Sequence, residues 1–96
     1  MATNAYRTPR PIGYQQIVGM VAATNLTVPT GTSFAIIQPE SQAVRWRDDG
    51  VAPTASVGYP LAVGAELRYD STNFAALQFI QQAATATLNI AYYTGQ

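Results

Sequence analysis

Five arginines and five acids carry all the formal charge of the chain, and no histidine, lysine or cysteine stands beside them. A hydroxyl nucleophile needs a neighbouring base, most often His, and neither His nor Lys is present to serve. A two-carboxylate mechanism needs two acids facing each other across a cleft. The candidates are Glu40, Asp48, Asp49, Glu66 and Asp70, and all five fall at or beside expected turns or strand ends, where acids are ordinarily solvated. No glycine-rich phosphate loop or dinucleotide fingerprint occurs. Without Cys or His the common zinc sites are excluded. Asp48-Asp49-Gly50 with Asp70 offers oxygens to calcium, which takes about six to eight of them, yet the acids lack the spacing of a dedicated loop and turn chemistry accounts for them. The expectation is a chain that is not an enzyme, with no catalytic residue, no metal site and no cofactor.

The remaining chemistry is that of contact. Arg45 and Arg47 lie two apart on one strand face, with Trp46 on the other, and Arg68 follows further on. A guanidinium presents a planar fork suited to carboxylates, so these arginines pair either with Asp48, Asp49 or Glu66 nearby or with acids of a neighbouring subunit. Six tyrosines (Tyr6, Tyr14, Tyr59, Tyr69, Tyr92 and Tyr93) are many for this length, and tyrosine favours interfaces because it buries area while keeping a polar handle. Tyr92 reads as core and Tyr93 as the outward partner. The candidate interface residues are Tyr6, Arg7, Arg10, Tyr14, Arg45, Arg47 and Tyr93.

The elements that must position these residues are short and extended. Residues 1–13 read as an arm, because Pro9, Pro11 and Gly13 interrupt any ladder and Pro9-Arg10-Pro11 favours a polyproline-like path. From Tyr14 onward apolar residues recur at period two between turn clusters. The expected strands are Gln15–Ala23, Asn25–Val28, Ser33–Gln38, Gln42–Arg47, Glu66–Tyr69, Phe74–Gln82 and Thr87–Tyr93, with short extended pieces at Pro53–Val57 and Leu61–Val63. Asn73–Ala86 competes as a helix, but its apolar residues hold no clean 3.6-residue period. About eight short strands with turns every 8 to 12 residues predict an all-β, single small antiparallel β-sandwich, jelly-roll-like or immunoglobulin-like, over residues 14–96.

With 96 residues the chain makes one domain with a thin core. No segment approaches the roughly 20 apolar residues of a spanning helix, and the first residues lack the apolar centre of a secretory signal. The expectation is a soluble protein made in the cytoplasm, with no membrane partner and no small-molecule substrate. The formal net charge is zero, whereas phosphate binding calls for a basic excess, so nucleic acid is not an expected partner. A surface this poor in charge resists association weakly, which fits one covered by partner subunits.

The stretch Val44–Gly58 carries an R-x-R-D-D-G-x-x-P-T turn and leads into a G-x-P-L segment, Gly58-Tyr59-Pro60-Leu61. Together with Phe79-Ile80 and the closing Leu88-Asn89-Ile90-Ala91-Tyr92-Tyr93, it resembles small β-sandwich virion proteins of tailed bacteriophages. The match runs over residues 33–93. That resemblance implies a non-enzymatic subunit of the virion: a capsid decoration (cement) protein that oligomerises, as a trimer, on the head exterior and contacts the major capsid protein. In this reading the arm, with Tyr6, Arg7, Arg10 and Tyr14, drapes over the shell or an adjacent copy. The alternative is an adhesion or receptor-binding module of a tail or head fibre, whose tyrosines, Trp46 and polar loops would contact host glycan.

Overall fold

The computed structural model describes residues 8–70 and 73–95. Eight strands form two four-stranded antiparallel sheets: β1 (Arg10–Val18), β2 (Thr24–Asn25), β3 (Phe34–Glu40), β4 (Val44–Arg47), β5 (Tyr59–Leu61), β6 (Leu67–Tyr69), β7 (Gln78–Gln81) and β8 (Thr87–Thr94). The strand orders are β1-β8-β3-β6 and β2-β7-β4-β5. Four of the pairings, β1 with β8, β2 with β7, β3 with β6 and β4 with β5, have labels that sum to nine. The chain is thus one long hairpin, rolled up so that β3 also meets β8 and β4 meets β7. This is the jelly-roll arrangement of two Greek keys, and it decides between the two sandwich topologies left open above.

Period-two alternation fills the space between the sheets. On β8, Leu88, Ile90 and Tyr92 point inward and are buried, opposite Ala35 and Ile37 of β3. Val44 and Phe79 come from the second sheet and Leu77 from the residue just before β7, and all are wholly inaccessible. Each such large side chain contributes about 1.5–3 kcal/mol when removed from water, which supplies the main force holding the layers together. Two polar groups enter this layer with partners. Gln81 is buried and its Oε1 accepts the Ala86 N–H at 3.1 Å. The Tyr92 hydroxyl donates to Gln15 Oε1 at 2.7 Å, and burial pushes its pKa up to about 12.

Several local expectations are corrected. Residues 10–13, assigned above to the arm, are the first part of β1: Arg10 pairs with Thr94 and Pro11 with Tyr93, and a register shift before Gly13 absorbs the irregularity. Pro11 fits because β1 is an edge strand, where a missing N–H costs no ladder bond. The first strand ends at Val18 rather than Ala23, because Gly19 adopts φ +75° and reverses the alternation. Met20 then falls into the core while Val21 is 80% exposed. Pro39 extends β3 opposite Leu88. Its carbonyl, and hence its missing N–H, faces the 62–65 turn, where Gly64 N donates to Pro39 O at 2.9 Å. Pro53–Val57 is not extended but a turn closed on Thr54. The Asn73–Ala86 stretch contains a single 3-10 turn, Phe74–Ala76, followed by β7. No helix among the described residues is long and apolar enough to cross a membrane.

Candidate functional site

The antiparallel roll sorts its loops into two ends. The start of β1 and the end of β8, with Asp70, residues 73–77 and the loops 26–33 and 48–58, lie at one, the terminal end; the loops 19–23, 41–43, 62–66 and 82–86 lie at the other, the far end. The terminal end holds Asp48, Asp49 and Asp70 with Arg47 and Arg68 beside them. The far-end loops are built from Gly, Ala, Val, Met, Ser, Gln and Thr, with Glu66 as their one charged residue. Backbone bonds tie three of these loops together: Gly19 N to Ala86 O, Gln81 N to Met20 O and Gln82 N to Ala43 O. Val18, Val21 and Val63 are all more than half exposed here.

At the terminal end, β4 presents Arg45 and Arg47 on its outward face, beside Ile80 and Gln78 of β7, while Val44 and Trp46 face Gln81 and Phe79. Both arginines have partners within the chain. Arg45 donates to two backbone carbonyls of the 48–58 loop, Nε to Ala55 O at 3.2 Å and Nη1 to Gly58 O at 2.8 Å. Carbonyls, not the acids expected from sequence, are its partners. Arg47 makes a two-point contact with Asp49, Nε to Oδ1 at 3.0 Å and Nη2 to Oδ2 at 2.5 Å. That bond holds the Asp49 carboxyl below its ordinary range and raises the arginine. The loop can fold back this far because Gly58 has φ +140° and sits where a Cβ would come within 3.1 Å of the Trp46 carbonyl oxygen.

The fold-back leaves a pocket of about 280 Å³ lined by Arg47, Asp48, Asp49, Val57, Gly58 and Tyr59. Tyr59 is 64% exposed and its ring lies 5.0 Å from that of Trp46, which also meets the edge of Tyr69. Tyr69 donates to Asp48 Oδ2 at 2.8 Å, and Asn73 Nδ2 to the Asp48 carbonyl at 2.6 Å. The arginines were legible as candidates in the sequence. Tyr59 and Val57 were missed, and the only signal for them was the Gly-Tyr-Pro that ends the loop.

The other candidates lie on the outer face of the β1-β8-β3-β6 sheet. Tyr93 stacks on Phe34 with ring centroids 5.0 Å apart and 3° between planes, and Arg68 on β6 sets its guanidinium 3.8 Å from the Phe34 centroid. Phe34 is 3% exposed although it faces outward, because β8 covers it from one side and β6 from the other. Tyr14 is exposed and donates to Asn89 Oδ1 at 2.5 Å, joined there by Gln16, while Asn89 Nδ2 donates to Glu40. Arg10 is exposed at the start of β1, whereas Tyr6 and Arg7 lie outside the described residues. The structure puts Arg47 in the pocket lining, uses Arg45 to hold the 48–58 loop that forms its wall, and places Tyr14 and Tyr93 on a separate face.

The acids named for calcium are each engaged: Asp48 by Tyr69, Asp49 by Arg47 and Asp70 by Arg68 at 3.4 Å. No group of three or more metal-ligating side chains forms among the described residues. In comparisons with known proteins the chain matches no family model, no curated protein and no solved structure.

Proposed function

We propose that this chain is a non-enzymatic structural protein of a tailed-phage virion, a capsid decoration protein that oligomerises on the head exterior and stabilises the shell. The observation that carries the reading is the far end of the roll, where Val18, Val21 and Val63 stand exposed among loops with one charged residue. Exposed aliphatic side chains on a charge-poor surface favour a covered state, and each Å² removed from water contributes about 25 cal/mol. The jelly-roll architecture supports the same reading, since it is one that viral shell domains use. The major capsid protein, or a neighbouring copy in a trimer, is the surface that would cover this end. Repetition over a lattice then makes modest single contacts sufficient.

Quantitative mass spectrometry of purified virions, measured against the major capsid protein, tests the assignment. Hundreds of copies per particle are expected, and Val21→Asp should lower occupancy of isolated heads while leaving the fold intact. A few copies up to a few dozen would overturn it in favour of a tail or fibre position.

A further inference from the structure

The pocket at the terminal end has no part in that contact, and its chemistry is specific. We propose that it is a binding site for a neutral pyranose residue of a glycan. Three features of the pocket define this ligand class.

The first is the platform. Tyr59 offers an open aromatic face, 64% exposed, yet the ring is backed by Trp46 at 5.0 Å and so holds one orientation. A rigid, exposed aromatic ring accepts the apolar C–H face of a sugar, whose hydrogens carry partial positive charge toward the negative face of the π-system. Val57, 53% exposed, continues the apolar wall.

The second is the polar fork. Arg47 commits Nε and Nη2 to Asp49 and retains Nη1 as a donor. Asp49 Oδ1 already accepts from Arg47 Nε and from the Val51 N–H at 3.3 Å, so Oδ2, with one bond from Arg47, is the oxygen that keeps a lone pair for a ligand. A donor beside an acceptor matches two vicinal hydroxyls, one accepting from the guanidinium and the other donating to the carboxylate. Bonds to charged partners are the stronger kind. Asp48 adds a second carboxylate, held in place by the Tyr69 hydroxyl at 2.8 Å.

The third is charge and size. One guanidinium against two carboxylates leaves the lining with an acidic excess, so phosphate, sulfate and sialic acid are repelled and a neutral sugar is not. The volume of about 280 Å³ lies at the small end of ligand pockets, about 300–1,000 Å³, which suits a single ring and not a buried oligosaccharide. The wall is already fixed by the Arg45 bonds to Ala55 O and Gly58 O and by Asn73 on the Asp48 carbonyl. Little ordering is left for the ligand to impose.

Amide-resolved NMR titration of the full chain tests the site. The probes are the methyl glycosides of glucose, galactose, mannose and N-acetylglucosamine, with sialyllactose and inorganic phosphate as anionic comparators. Saturable shifts at residues 47–51 and 57–59 with at least one neutral glycoside, in the millimolar range, are expected, and neither anion should give them. Tyr59→Ala should weaken that binding by about tenfold or more while the remaining spectrum stays in place, and Tyr59→Phe should keep it. The absence of saturable shifts at these residues with every neutral probe would overturn the proposal, as would equal binding of the anions or indifference to Tyr59→Ala. Because these outcomes do not depend on copy number, they leave the particle assignment to its own experiment.

Discussion

Replacing Tyr92 with phenylalanine and following stability into alkaline solution isolates one buried hydroxyl. Tyr92 is 1% exposed, and its phenol titrates at about 12 instead of 10.0, because burial disfavours the phenolate. When the native pKa exceeds the unfolded one, the unfolded chain loses its proton first. Stability is therefore fully present below about pH 10 and falls as pH climbs toward about 12. Two pKa units at about 1.36 kcal/mol each give a loss of about 2–3 kcal/mol, a large share of the roughly 5–14 kcal/mol expected for a domain of this length. At neutral pH the substitution should cost only about 0.5–1.5 kcal/mol, since Gln15 Oε1 keeps the Thr27 N–H at 3.0 Å and is not orphaned. The two stability curves should therefore cross, wild type above at neutral pH and Tyr92→Phe above near pH 12. The chain has no lysine and no cysteine, so tyrosines dominate titration in this window. Urea unfolding at a series of pH values, with phenolate absorbance as the second readout, measures the crossing. Parallel curves for the two proteins would refute the argument, because they would mean that the Tyr92 hydroxyl ionises alike in the folded and unfolded chains.

Gly58→Ala should destabilise by about 1–3 kcal/mol, because φ +140° is closed to alanine and its Cβ would meet Trp46 O at 3.1 Å and Pro53 Cβ at 3.2 Å; chemical denaturation gives the size, and amide exchange should locate the loosening in residues 53–59. Phe79→Ala, which empties a fully buried position between Thr24 and Trp46, should cost about 3–5 kcal/mol, read as a lower urea midpoint at unchanged slope.

The sequence carries the fold class wherever one face of a strand is buried along its whole length. Leu88, Ile90 and Tyr92 declare β8 because each is inaccessible while Asn89 and Ala91 between them are not. Val44 and Trp46 against Arg45 and Arg47 do the same for β4. Alternation fails as a guide where a backbone event resets its phase. A single left-handed glycine at position 19 exchanges the fates of Met20 and Val21, and no hydrophobic pattern contains that information. Strand order is likewise absent from local pattern, because β1 finds β8 through residues such as Tyr14 and Asn89 that stand 75 positions apart. The pocket was half legible. Arg47 and Asp49 lie two residues apart and pair as charge suggests. Arg45, however, binds carbonyls that reach it only after the loop has doubled back over Gly58.

The hairpin-of-hairpins order also sets a timetable for synthesis. The innermost pair, β4 with β5, is separated by one loop, but β1 leaves the ribosome before the other seven strands and its partner β8 after them. At about 5–20 residues per second, the intervening chain takes roughly 4–15 s to make, during which β1 has no ladder to join. Closure then waits on contacts between distant segments, the kind that folds slowly. The nascent chain therefore carries an unpaired edge until β8 is made, with Pro11 and Arg10 at the start of that strand to discourage other strands from adding to it.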